Sequence, residues 1–347
     1  MMSDELARYS RQMRFAGMGE ARQRRLSASK VLLVGCGALG TVLADMLVRA
    51  GVGLLRIVDR DFVDLSNLQR QVLFDEADVA AHLPKSAIAA EKLGRINSSV
   101  KLEPVVADVN ADNILALMDG VDLVLDGTDN FETRFLMNDA ALERGIPWVY
   151  GGVVGSHGQV LPIFPGETAC LRCIIEAPPD PGTTDTCDTA GVISPAVHVV
   201  TALQVVAALK ILSGQRELIT PKLTVIDVWD GTFRQLDVSQ LRPANQCPAC
   251  VEGRRDWLHG HSTSQSVILC GRNSVQITPG QPLALSLDDL AQGWQALGVV
   301  MKNSFLARLT LSEPACEITV FKDGRAIIQG TDDPTIARGL YARYIGN

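Results

Sequence analysis

The stretch Gly35-Cys36-Gly37-Ala38-Leu39-Gly40 constrains the fold more than any other. It follows an apolar run, Val31-Leu32-Leu33-Val34, that reads as a buried parallel strand. It opens a segment, Thr41 to Ala50, with apolar residues at helical spacing. A G-x-G-x-x-G between strand and helix marks a nucleotide loop, because glycine lets the backbone approach phosphate and the helix N-terminus favours negative charge. A second apolar run, Leu54 to Val58, ends in Asp59, placed to hydrogen-bond a ribose hydroxyl. Strands and helices then alternate to about Tyr150, which predicts a doubly wound, mostly parallel sheet of Rossmann-like type.

After Gly151 the alternation breaks. Gln159–Phe164, Leu223–Val228 and Thr232–Val238 read as strands of an antiparallel extension, with a long helix from Ser194-Pro195 to about Leu212. Residues 1–253 are expected to form this unit, 254–265 a polar linker, and 266–347 a small α+β domain. In the last, strands are expected over Ser266–Ile277, Phe305–Leu311 and Glu317–Phe321, and helices over Leu287–Leu297 and Thr335–Tyr344. The 347 residues and 47% hydrophobic content suffice for one large core and a smaller one. A net charge of -7 argues against a nucleic-acid partner. No run of eighteen uninterrupted apolar residues and no signal-like start are present, so a cytoplasmic chain without a membrane span is expected.

Two C-x-x-C pairs, Cys170/Cys173 and Cys247/Cys250, carry the strongest metal signal. Two such turns complete a tetrahedral zinc site, and four thiolates leave no open position, so the zinc would be structural. Acids at strand ends, Asp59, Asp61, Asp126 and Asp129, are expected to gather at one sheet edge, where carboxylates beside polyphosphate hold Mg2+. Arg70 and Lys85 could neutralise phosphate there. For any single acid, a helix cap is an even alternative. Cys187, in a polar stretch outside the pairs, reads equally as a nucleophilic thiol or an inert one. Residues 1–30 read as a solvated helix.

In this order, Arg8-Tyr9-Ser10-Arg11-Gln12, the glycine loop, Asp59-Arg60-Asp61, Ser66-Asn67-Leu68-Gln69-Arg70-Gln71, Pro84-Lys85, Asp126-Gly127-Thr128-Asp129-Asn130 and the paired C-x-x-C motifs resemble the ThiF/MoeB/HesA family. These are bacterial relatives of ubiquitin-activating enzymes, and the resemblance covers about residues 5–251. It implies a nucleotidyltransferase that uses ATP and Mg2+ to adenylate the C-terminal Gly-Gly carboxylate of a ubiquitin-like sulfur carrier. Gly35, Gly37, Gly40, Asp59, Asp61, Asn67, Arg70, Lys85 and Asp129 would bind ATP, with Asp129 on Mg2+. Arg11 would reach the nucleotide of the other subunit in a homodimer. The four paired cysteines would hold Zn2+, and a sulfurtransferase or cysteine desulfurase would supply sulfur.

Thr189-Ala190-Gly191-Val192 after Cys187 looks more like the thiamine branch, with a ThiS-type carrier, than the molybdopterin branch with a MoaD-type carrier. In the thiamine branch the corresponding cysteine is linked to a persulfide or acyl-disulfide step. An NAD-dependent oxidoreductase would explain the glycine loop and Asp59 but leave Arg70, Lys85, Asp129 and the cysteines unused. A zinc-stapled binding module would not need so many phosphate-directed residues. The tail is not expected to be a rhodanese, since Cys270-Gly271-Arg272-Asn273-Ser274 sits in a strand pattern. It is expected instead to support docking or dimerisation.

Overall fold

The computed structural model describes residues 4–177, 190–244, 246–259, 266–269, 273–278 and 285–345. They fall into two compact units, Met1–Gly260 and His261–Asn347.

The first unit is built on strands β1 (Lys30–Val34), β2 (Leu54–Asp59), β3 (Lys101–Val106), β4 (Leu123–Asp126), β5 (Trp148–Val154), β6 (His157–Ile163), β7 (Lys222–Asp227) and β8 (Thr232–Asp237). They form one sheet in the order β3-β2-β1-β4-β5-β6-β7-β8. Pairing is parallel from β3 to β5 and antiparallel from β5 to β8. The expected sheet with its antiparallel extension is therefore the observed one. The chain winds outward from β1 to β3, then crosses back to β4. This reversal opens a crevice at the carboxyl ends of β1, β2 and β4, where ligands bind in such sheets.

Helices α1 (Ala38–Ala50), α2 (Lys85–Ile96), α3 (Phe131–Arg144) and α4 (Ser194–Leu212) flank the sheet. Two apolar clusters lie on its two faces: Leu33, Leu55 and Leu125 pack with α1, α2 and α4, while Leu32, Val58 and Val124 pack with α3. Because both faces are covered, the central strands read as unbroken apolar runs rather than alternating ones. By length and mean hydropathy α4 matches a membrane span, although His198, Thr201, Gln204 and Lys210 interrupt its apolar run. In the fold it is a half-buried core helix against β5, β6 and α1.

The linker expected over 254–265 begins later than the composition suggests. Asp256–His259 form a helical turn docked on α3. The Trp257 amide donates to Asp139 Oδ2 at 2.9 Å, its ring lies 5.4 Å from that of Phe135, and Asp256 pairs with Arg172 and Arg254. The segment reads as solvated because Asp139, Phe135 and Arg172 are far away in sequence.

The second unit is an antiparallel sheet of β9 (Ser266–Leu269), β10 (Ser274–Ile277), β11 (Val299–Lys302), β12 (Leu306–Ser312), β13 (Ala315–Phe321) and β14 (Ala326–Gln329), in the order β11-β12-β13-β14-β10-β9. Helices α5 (Leu287–Trp294) and α6 (Pro334–Tyr344) pack on one face through Leu287, Trp294, Ala337 and Leu340. The single strand expected over Ser266–Ile277 is two strands paired antiparallel, with Ser274 opposite Leu269. Asn273 takes φ 44°, a turn conformation that asparagine tolerates and that ends the strand pattern. The four-residue strands β11 and β14 are too short to stand out by periodicity.

Candidate functional site

The glycine loop is locked into the sheet by backbone contact. Gly35 has φ 89°, and its amide donates to Val58 O at 2.8 Å. A Cβ on Gly35 would lie 2.6 Å from Gly127 O, and one on Gly40 only 2.0 Å from Gly35 O. Those two glycines let the loop and the end of β4 interlock. Gly37 is different, since its nearest neighbour would be Gln71 Nε2 at 3.8 Å. It is the N-cap of α1 and makes no side-chain cap, so the first amides of this thirteen-residue helix are left for a ligand.

Asp59 holds the loop from the side. Its Oδ2 accepts from the Cys36 amide and its Oδ1 from the Asp61 amide, both at 2.6 Å. Burial pushes its carboxyl above the ordinary carboxylate range, while Lys85 opposes the shift. Burial also pushes the Cys36 thiol up, which keeps it a neutral filler. Lys85, only 3% exposed, opens α2 and places Nζ 3.4 Å from Asp61 Oδ2. Arg60 continues the row of alternating charges, 3.0 Å from Asp108 and 3.9 Å from Asp61. Asp108, followed by Asp61 and Asp129, holds its guanidinium above the usual arginine range despite burial.

The polar segment after β2 folds around Asn67. Asp64 and Asn67 form a reciprocal cap, and the buried Asn67 takes the Arg70 and Gln71 amides on its carbonyl at 3.1 and 3.0 Å. Arg70 donates to Ser66 O at 3.0 Å. Gln71 is 4% exposed, faces Gly37 and leaves its Oε1 without a partner among the described residues. Sequence reasoning singled out its neighbours Asn67 and Arg70 but gave Gln71 no role. Its position in the polar segment was the available signal.

Asp126 and Asp129, both expected among the acids at this sheet edge, differ in their surroundings. Asp126 is fully buried and pairs with Arg134 Nε at 3.0 Å, while also accepting from the Thr128 and Gly151 amides. Arg134 donates onward to Thr128 O and Gly151 O, and Gln204 of α4 donates to Asp126 O. Asp126 is therefore a structural tie rather than a ligand carboxylate. Asp129 is exposed and accepts no hydrogen bond among the described residues, while Asn130 caps α3. Replacing Arg134 with methionine strands a buried carboxylate. It is expected to destabilise the first unit by about 3–5 kcal/mol, read by urea unfolding, and a loss under 1 kcal/mol would contradict the tie.

The N-terminal segment is docked, contrary to the solvated-helix reading. Tyr9 Oη accepts from Asn97 Nδ2 at 2.8 Å, and Gln12 donates to Gln23 and Ala50 O. Arg11, between them, is exposed and makes no side-chain hydrogen bond or ion pair among the described residues. The segment is thus fixed while Arg11, like Arg14, stays exposed.

On the other face of the sheet, Cys170, Cys173, Cys247 and Cys250 bring their four sulfurs within 4.8 Å of one another. Three of the distances are 3.9, 3.6 and 3.4 Å. A tetrahedron with bonds of about 2.3 Å has edges of about 3.8 Å, so this donor set fits zinc. Hydrogen bonding within the cluster draws Cys247 and Cys250 down and pushes Cys170 up, so the four thiols act as one set. Cys187 lies outside the described residues.

A model of the ThiF family matches residues 9–249 of this chain. The sulfur carrier protein ThiS adenylyltransferase of Bacillus subtilis (strain 168) is 42% identical over 340 residues, covering 98% of this chain and 99% of that protein. The sulfur carrier protein adenylyltransferase of Thermus thermophilus is 38% identical over 252 residues, 71% of this chain and 91% of that one. The adenylyltransferase and sulfurtransferase MOCS3 of Sus scrofa is also 38% identical, over 73% of this chain and 54% of its own length. Among solved structures, E. coli MccB with ATP shares the fold, with a TM-score of 0.59 and 21% identity over 72% of this chain and 75% of that one.

Proposed function

The chain belongs to the ThiF family, and from that membership we propose that it uses ATP to adenylate the C-terminal glycine carboxylate of a ThiS-type sulfur carrier, releasing pyrophosphate, for thiamine thiazole synthesis. The observation that carries this reading is the match to a ThiS adenylyltransferase along nearly the whole chain, second unit included. The adenylyltransferase and sulfurtransferase MOCS3 of Sus scrofa matches a smaller share of this chain, 73%. The relatives are adenylyltransferases, which leaves the dehydrogenase reading without support.

The carrier carboxylate is ionised near neutral pH, so no general base is required for attack on the α-phosphorus. What the reaction needs is positioning and relief of charge repulsion. In this reading the α1 N-terminus and Gly37 receive phosphate, Gln71 donates from beside Gly37, and Asp59 accepts from the ribose. Lys85 and Arg70 offset charge on the departing pyrophosphate. Asp129, whose oxygens accept no hydrogen bond among the described residues, is the residue that would hold Mg2+, which when bound screens the phosphates. Arg11 would serve the nucleotide of the second subunit in a homodimer. The four clustered cysteines would hold a structural Zn2+.

Cys187 is our candidate for a later thiol step with the carrier, supplied by a cysteine desulfurase or sulfurtransferase. The compartment we assign is the cytoplasm.

The test is pyrophosphate exchange into ATP, with ThiS-type and MoaD-type carriers supplied separately. Exchange dependent on the ThiS-type carrier is the expected result. Dependence on the other carrier would move the enzyme to the molybdopterin branch, and exchange with neither would overturn the reading.

A further inference from the structure

We infer that Arg60, held by Asp108, forms the wall against which the purine ring of the nucleotide stacks, and so sets the base preference of the site. The inference rests on the ATP-binding part of the proposed function.

Its ground is the order of parts along one sheet edge. Phosphate belongs at Gly37 and the α1 N-terminus, beside β1. Ribose belongs at Asp59, the last residue of β2. A nucleotide continuing in that direction passes over the next strand, β3, which pairs with β2 so that Asp59 lies opposite Val106. Arg60 is one residue past the end of β2 and Asp108 two past the end of β3. Their side chains meet across this gap at 3.0 Å. About a quarter of each side chain reaches solvent, 25% and 22%, so the pair forms surface at the crevice and is not sealed in the core.

The far side of the gap is built to stay in place. Asn113 Nδ2 donates to Asp108 O at 2.7 Å, and Asn110 Oδ1 accepts from the Asp112 and Asn113 amides. Ala107 and Val109, half-buried beside Asp108, supply apolar surface. A planar guanidinium held in its plane by the Asp108 and Asp61 carboxylates can offer its face to a flat ring, which a flexible lysine ammonium cannot do. A purine offers that face more ring than a pyrimidine.

Equilibrium binding of ATP and of CTP, each with Mg2+, to the full-length protein tests this without relying on turnover. For Arg60→Met, the Kd for ATP is expected to rise about tenfold, the size of one desolvated stacking contact. The Kd for CTP should change less, so the preference for ATP narrows. Arg60→Lys keeps the charge opposite Asp108 and serves if the methionine variant fails to fold. It too should weaken ATP more than CTP. An unchanged ratio of the two constants in the folded variant would overturn the assignment, as would equal binding of ATP and CTP by the parent protein. Pyrophosphate exchange run alongside reports on adenylation alone. Its absence with ATP binding and preference intact would count against the function and not against Arg60.

Discussion

Replacing Cys173 and Cys250 together with serine is expected to abolish metal binding and lower the Tm by about 10–20 °C. That range corresponds to a loss of about 5 kcal/mol in a unit of this size. The four sulfurs tie the helical turn Leu171–Ile174, which follows β6, to the turn at Cys247–Cys250, which follows β8, across 77 residues of chain. Structural zinc contributes about 10–16 kcal/mol to small domains that are unfolded without it. Here the sheet and its two apolar clusters remain, so the loss should be smaller and should be concentrated in the antiparallel half. Metal analysis should find one zinc per chain in the parent and none in the variant. An unchanged Tm with no metal in either protein would leave the cysteines as ordinary core residues.

Asp129→Ala is expected to reduce pyrophosphate exchange about 10²–10³-fold, the scale of removing one preorganised charge-stabilising contact. Its Tm should stay near the parent value, because the exposed carboxylate accepts no hydrogen bond among the described residues. Lys85→Ala should lose activity on the same scale and stability as well. Lys85 is buried, and its ammonium lies 3.4 Å from the Asp61 carboxylate, which would lose that neighbour. The contrast separates a metal-holding role from a phosphate-holding role built into the fold. Normal exchange in Asp129→Ala would show that the metal is held elsewhere.

Much of this was legible in the sequence because it rests on short-range rules. The glycine loop, the acid ending β2, Ser194-Pro195 opening α4 and the two C-x-x-C turns each carry their meaning within a few residues. The uninterrupted apolar runs of β1 and β4 announced a sheet covered on both faces. Less legible were residues whose partners are distant. Asp126 and Asp129 stand three positions apart with the same side chain, yet one faces Arg134 in the core and the other faces solvent. Trp257 looked like linker until Asp139 and Phe135 met it.

The sequence alone thus determined the class of sheet, the place of the nucleotide loop, the thiol set and the family, since periodicity, turn chemistry and motif order are local properties of the chain. Tertiary structure decided which acid is a tie and which is open, and that Gln71 rather than a closer residue backs Gly37. It also showed that Arg60 and Asp108, 48 positions apart, meet across the ends of β2 and β3. Those outcomes depend on which strand ends lie side by side, and strand order is fixed by the packing of the whole sheet.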